Sequence, residues 1–137
     1  MIAMGLLSGG TAMAQRIKSA LVPGTVTDAL KKKYPEASKV TWEKEKGNFE
    51  ANWGGKSGED MSVQFSQDGT FIEQVKAISI KELPAGVFEY VKVHYNGAKI
   101  SEAGKVTDAK GATMYEVEIK GKDVIFDAKG NFMKPED

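Results

Sequence analysis

The chain has no cysteine and only one histidine, His94, among its 137 residues. The first absence excludes disulfides, thiol nucleophiles, cysteine-ligated zinc and a lipoprotein anchor. The second leaves metal ligation little to stand on, because imidazole sites draw on several partners. There is no charge excess either. Nineteen basic side chains face 19 acidic ones, so nothing favours nucleic acid or an anionic membrane as partner. No Gly-x-Ser-x-Gly occurs, and one histidine cannot be set against an aspartate by sequence, so no hydrolytic triad is readable. Gly54-Gly55-Lys56-Ser57-Gly58 lacks the spacing of a phosphate-binding loop and joins two strand-like runs. No motif implies a cofactor or a metal. Asp68-Gly69 and Asp127-Ala128-Lys129-Gly130 have too few ligands for calcium loops and suit tight turns.

Long apolar runs are also missing, except at the very start. Met1 to Ser8 is apolar, and Ala12-Met13-Ala14 follows as an A-x-A cleavage pattern, without a basic n-region ahead. Residues 1–14 are therefore expected to be the remnant of a signal peptide. The segment is too short to span a bilayer, so no membrane span is expected.

What the chain does have is a repeat. Pro23, Val26, Leu30, Tyr34 and Ala37 return as Pro84, Val87, Val91, Tyr95 and Ala98, each 61 positions later. The same offset carries Val63, Phe65, Gly69 and Phe71 onto Val124, Phe126, Gly130 and Phe132. A fixed period marks one supersecondary unit used twice. The units are placed at 15–79 and 80–137. Each is near the size at which a core is marginal, which predicts a shared core or a continuous sheet.

Within the first unit, Val26, Ala29, Leu30 and Tyr34 follow Pro23 at helical spacing, and Pro35 stops the helix. Runs around Val40–Trp42, Phe49–Trp53, Met61–Phe65 and Thr70–Val75 then alternate apolar and polar residues, with turns at Gly47-Asn48 and Asp68-Gly69. The second unit repeats the plan. Its helix carries Val87, Tyr90, Val91 and Tyr95. Strands follow at Ile100–Thr107 and Tyr115–Ile119 and through Val124 and Phe126, with a last short strand reaching Phe132. Trp53 and Ile119 match at offset 66 rather than 61, and Lys39-Val40-Thr41 also matches Lys105-Val106-Thr107 at 66, so the first strand has two readings. The expected fold is α+β: two repeats, each one helix on about four antiparallel strands, in a shared sheet with both helices on one face. Period 2 with a polar face implies a sheet covered on one side.

Trp42 and Trp53 fall in phase with Val40 and Phe49, hence in the core. The opposite face is the candidate binding surface. It collects Glu43, Glu50, Asn52, Gln64, Glu116, Glu118 and the apolar Ile125, and it is expected to be solvated and acidic, partly offset by Lys44 and Lys120. The glutamates Glu116 and Glu118 alternate with apolar residues, which suits a sheet face better than an acid–base pair.

Tyr34-Pro35-x-Ala37, Val40-x-Trp42-Glu43, Phe49-Glu50-Ala51 and Val63-x-Phe65-x-x-x-Gly69 resemble the PepSY-like, β-lactamase-inhibitor-like proteins exported by Bacteroidetes-type bacteria. Ile100-Ser101-Glu102-Ala103, Tyr115-Glu116-Val117-Glu118-Ile119 and Val124-x-Phe126-Asp127-x-x-Gly130 resemble the PepSY pattern itself. The resemblance runs from about Leu21 to Lys134 and rests on core and turn positions. It implies a periplasmic or secreted protein with tandem units of a helix on an antiparallel sheet. The expected function is non-enzymatic binding of a protein or peptide in the envelope, by a monomer, with inhibition of a peptidase or β-lactamase-like protein as one version. A self-associating envelope component is the alternative, and a carboxylate enzyme the third reading.

Overall fold

The computed structural model describes residues 14–133. Thirteen of the fourteen residues assigned to the signal-peptide remnant, Met1 to Met13, lie outside the described residues, so that assignment has no structural counterpart. Helix α1 spans Gly24–Lys33 and helix α2 spans Ala85–His94. Each is entered through a proline, Pro23 or Pro84, which presets the backbone angle and lacks a donor that would have no partner in the first turn. Lys31, Lys32 and Lys33 fill the last turn of α1, where cations suit the helix dipole. Tyr34 and Tyr95 close the two helices by donating their backbone N–H groups to Leu30 and Val91.

Among the described residues, eight strands form one antiparallel sheet in chain order. They are β1 (Gln15–Ile17), β2 (Thr41–Glu45), β3 (Asn48–Trp53), β4 (Met61–Phe65), β5 (Phe71–Ile78), β6 (Ile100–Asp108), β7 (Thr113–Ile119) and β8 (Lys122–Asp127). The expected continuous sheet is present, since β5 pairs with β6 from Glu73↔Asp108 to Ile78↔Ala103. Two local expectations are corrected. Gln15–Ile17 adds an edge strand to β2, which three residues of mixed polarity gave no period to reveal. The last strand, expected to reach Phe132, is one bridge between Phe126 and Phe132, because Asp127 to Gly130 forms a tight turn that leaves too little chain for a ladder.

Two apolar clusters lie on the same face of the sheet. Val26, Leu30 and Tyr34 pack on Trp42, Phe49, Ala51, Trp53, Val63 and Phe65. Val87 and Val91 pack on Ala103, Val117, Ile119, Val124 and Phe126. Both tryptophans are core residues, as their phase required. The edge of the Tyr34 ring meets Trp53 at a centroid distance of 5.2 Å, and the Tyr34 hydroxyl donates to the Gln74 side chain on β5. The ambiguous first strand is settled by these clusters. Trp42 and Ala103, at offset 61, hold counterpart places in the two cores, whereas Val40 packs beside the first core and Val106 lies on the other face of the sheet.

The hairpin glycines belong to the same packing. Gly69 and Gly130 both have left-handed φ, +87° and +90°. A Cβ on Gly69 would stand 2.6 Å from the Thr25 carbonyl oxygen, and one on Gly130 2.9 Å from the Pro84 side chain. The turns at Gly69 and Gly130 are thus pressed against the starts of α1 and α2. Thr25 also donates its hydroxyl to the Gln67 carbonyl oxygen at 2.8 Å.

Candidate functional site

The second face of the sheet is built by alternation. Where β3 turns Phe49, Ala51 and Trp53 to the helices, it turns Glu50 and Asn52 away. The ladder extends these positions across the sheet. Glu43 faces Glu50, Glu50 faces Gln64, Gln64 faces Glu73, and Glu73 faces Asp108. A second row runs Asn52, Ser62, Val75, Val106, Met114 and Asp127. A third sets Glu116 between Gly104 and Ile125, and a fourth sets Glu118 between Glu102 and Asp123. The register therefore places all seven sequence-proposed residues on one face.

Their environment differs from the expectation. The face was expected to be solvated. Glu50, Asn52, Gln64, Glu116 and Ile125 are instead buried, with Glu116 only 1% exposed, while Glu43 and Glu118 are half-buried. The cause is convergence across the sheet. In a flat sheet, β3 and β7 lie four strand spacings, about 19 Å, apart. Yet Glu116 on β7 feels the charges of Glu73 on β5 and Glu50 on β3. The carboxyl groups of the three strands thus raise one another's affinity for protons across the sheet. Sequence alternation reports which face a residue takes, and carries no information on how far twist and coiling fold that face inward.

The charge pattern also departs from what net charge suggests. The strand lysines Lys44, Lys76, Lys105 and Lys122 all have the register of the helix side. Lys44 lies with its ammonium 5.5 Å from the Phe49 ring centroid and does not offset the acidic face. Lys120 sits in the β7–β8 turn rather than on the face. Among the described strand residues, the acidic face holds one cation, the exposed Arg16 opposite Glu43 on β1. Among the described strand residues, the acids and the lysines thus lie on opposite faces of the sheet.

Burial and mutual repulsion shape the protonation of this face. Burial, and then the Glu43 carboxylate, push the Glu50 carboxyl up to about 9. Burial raises Glu116 well above the usual carboxylate range, with Asp123, Glu73, Glu50 and Glu118 adding to it. Asp123 is raised by burial and by Glu118. Some polar groups are satisfied: Ser62 donates to Asn52 at 2.5 Å, and Asn52 donates to Glu43 at 3.0 Å. Among the described residues, neither carboxyl oxygen of Glu116 has a hydrogen-bond partner, nor does Oε1 of Glu50. Beside these acids lies a small apolar patch of Val75, Val106, Ile125 and the half-buried Met114. Sequence reading found Ile125 but missed Val75, Val106 and Glu73. Their strands β5 and β6 hold the inter-unit junction, where the 61-residue repeat offers no counterpart to compare.

Other candidates dissolve into structure. Asp68, Asp108 and Asp127 cap their own turns, each accepting backbone N–H groups at 2.9–3.0 Å. Those hydrogen bonds hold Asp127 below the usual range, and the Ser66 hydroxyl with Thr70 holds Asp68 at about 2. His94 is exposed and stacks on Tyr90 at 4.2 Å. Among the described residues, no group of three acidic or histidine side chains is arranged to hold a metal ion. No described helix is long and apolar enough to cross a membrane. A cleft of 360 Å³, lined among others by Glu59, Asp60, Ser101 and Glu102, borders the acidic face at Ala77.

This architecture, an antiparallel eight-stranded sheet with two helices on one face and an acidic second face, has known relatives. The family model described as "Putative beta-lactamase-inhibitor-like, PepSY-like" matches residues 11–73 and again residues 56–134. The chain belongs to the PepSY-like family. Among solved structures, it is similar to a putative periplasmic protein of Bacteroides eggerthii, at 21% identity and a TM-score of 0.72 over 82% of this chain and 86% of that one. A DUF2874 family protein of Bacteroides uniformis shares 23% identity with a TM-score of 0.70 over 82% and 86%. A BLIP-like protein of Bacteroides fragilis shares 25% identity with a TM-score of 0.66 over 85% and 87%. No curated protein shows a significant match.

Proposed function

We propose that the chain is a non-enzymatic binding module of the bacterial envelope, periplasmic or secreted, built from two PepSY-like repeats. Its acidic sheet face, with Glu43, Glu50, Asn52, Gln64, Glu116, Glu118 and Ile125, receives a protein or peptide with a basic patch. The observation that carries this reading is the segregation of charge. Among the described strand residues, acidic side chains occupy the face with Arg16 as its one cation, while the strand lysines sit on the helix side. The periplasmic designation of the B. eggerthii relative and the BLIP-like description of the B. fragilis relative support the compartment and the binding role. Inhibition of a peptidase or β-lactamase-like enzyme is one form such binding takes.

The test is capture from envelope extract at two salt concentrations, using the full chain and a variant carrying Glu43→Gln, Glu118→Gln and Asp123→Asn at the half-buried rim. The expected result is a captured protein whose association slows as salt rises and weakens in the variant. Capture unchanged in both respects would move the site away from this face.

A second reading is favoured by one observation. Buried carboxylates raised toward neutrality and brought together are what acid–base catalysis requires. Screening ester, peptide, phosphate and glycoside substrates separates the two. Turnover abolished by Glu116→Gln would replace the binding module with a carboxylate enzyme.

A further inference from the structure

The helix side of the sheet gathers a different set of groups where the two cores meet. On the β5–β6 ladder, Lys76 stands directly opposite Lys105, and Gln74 directly opposite Thr107. Residues two apart on a strand share a face, so the four form one quartet, about 7 Å along the strands and about 5 Å across them between Cβ positions. All four line a cleft of 480 Å³ that Glu82 also borders. Both lysines are exposed, and Gln74 and Thr107 are half-buried, so the quartet is reached from solvent.

Every member of the quartet offers a donor. The two ammonium groups are like charges directly opposite on an antiparallel pair, an arrangement that costs stability unless a counter-charge stands between them. The Tyr34 hydroxyl donates to Gln74 Oε1, which engages the oxygen and leaves the amide nitrogen with its N–H donors. Thr107 adds a hydroxyl. Glu82 accepts the Ser79 N–H at 2.8 Å, as the cap of the short helical turn Ile80–Glu82. Two lysines against this one carboxylate leave the cleft cationic.

The complement of such a cleft is an anion rich in acceptors. A carboxylate brings one charge and two oxygens. A phosphate group brings a charge of about −1.5 to −2 at pH 7 and three strong acceptor oxygens, enough for two ammonium groups and two neutral donors. Lysine binds phosphate as a point charge, which asks for no fixed fork geometry. One water takes about 30 Å³ of liquid, so 480 Å³ has room for the phosphate and part of a molecule that carries it.

We propose that this cleft is an anion site that takes a phosphate group, bracketed by Lys76 and Lys105, with Gln74 and Thr107 donating beside them. The site lies on the face opposite the acidic surface and does not depend on the binding-module reading.

The experiment follows amide chemical shifts of the full ¹⁵N-labelled chain at pH 7.5 and constant ionic strength. Inorganic phosphate, methyl phosphate and acetate are the three titrants. The expected result is saturable shifts at Gln74, Lys76, Lys105 and Thr107 with both phosphates, and binding of acetate at least about tenfold weaker. Tighter binding of methyl phosphate supports the site as a reader of phosphate carried on a larger molecule, and tighter binding of inorganic phosphate supports it as a site for the free ion. Lys76→Gln and, separately, Lys105→Gln should each weaken phosphate binding at least about tenfold. Each should also raise the melting temperature in phosphate-free buffer, because the like-charge pair is gone, and lose most of the further rise that phosphate gives the parent chain. Absence of saturable shifts at these four residues with either phosphate, acetate binding as tightly as phosphate, or phosphate binding unchanged in both variants would each overturn the proposal.

Discussion

Glu50 and Glu116 stand 66 residues apart in sequence, on β3 and β7. Each follows a core-facing residue of its strand and each turns away from the helices. Both carboxyl groups hold their protons above the ordinary carboxylate range, first because burial penalises the charged form. The linkage has a definite sign. A carboxyl whose folded value is raised binds its proton more tightly in the folded state, so folding is favoured at low pH. That stability is fully present below the unfolded value near 4.5 and is lost as pH rises toward about 9 for Glu50. Charged neighbours act in the same direction: Glu43 and Glu45 on β2 for Glu50, and Glu73 on β5, Glu118 on β7 and Asp123 on β8 for Glu116. Thermal melts should therefore show stability declining between about pH 5 and pH 9. Glu116→Gln, which cannot ionise, should raise the melting temperature at pH 8 by about 3 °C or more and change it little at pH 4.5. A variant less stable than the parent at pH 8 would mean that Glu116 is charged and compensated in the folded protein.

The two hairpin turns are the elements that join sheet to helix. Gly130 has φ +90° and its Cβ position is filled by Pro84, while Gly86 approaches the Gly130 backbone closely enough that its own Cβ would meet the carbonyl oxygen at 2.7 Å. Gly130→Ala thus combines left-handed strain with a clash against the Pro84 ring. It should cost about 2 kcal/mol or more in urea melts, whereas Gly121→Ala, also left-handed but with open space around it, should cost less. Equal losses would show that the turn does not bear on α2. These elements were the legible part of the chain. Helices, hairpins and core phase rest on local periodicity, and Phe65 and Phe126 declare the same core position through the repeat. The edge strand β1 was not legible, because Gln15-Arg16-Ile17 is too short to show a period and its pairing with β2 spans more than twenty residues. Nor was the burial of the acidic face, since alternation separates two faces without saying how far each is covered. Val75 and Val106 illustrate the loss. Each looks like an ordinary core valine, and each lies on the polar side.

At the scale of the molecule, the question is whether the two helix-side cores unfold together. The helix-side cores are separate clusters, joined by the six-pair ladder of β5 with β6. Across that ladder the helix side carries Gln74, Lys76, Thr107 and Lys105, which surround a cleft of 480 Å³ rather than a third core. The apolar junction is instead on the acidic face, where Val75, Val106 and Ile125 connect β5, β6 and β8. Each unit alone is near the size where a core is marginal, so the backbone ladder and this patch together should impose one cooperative transition. Phe65 and Phe126 test it, being 1% and 0% exposed in their respective cores. Either Phe→Ala change should cost about 3–5 kcal/mol through loss of a large buried ring. Both should lower a single transition, seen alike by near-ultraviolet and far-ultraviolet circular dichroism, with the calorimetric and van't Hoff enthalpies equal. Val106→Ser should act differently, weakening the junction while leaving both aromatic cores intact. If coupling runs through the patch, that variant broadens the transition or splits it in two. If Phe126→Ala instead melts only half of the signal while the Phe65 core persists unchanged, the units are independent and the continuous sheet couples them in geometry alone.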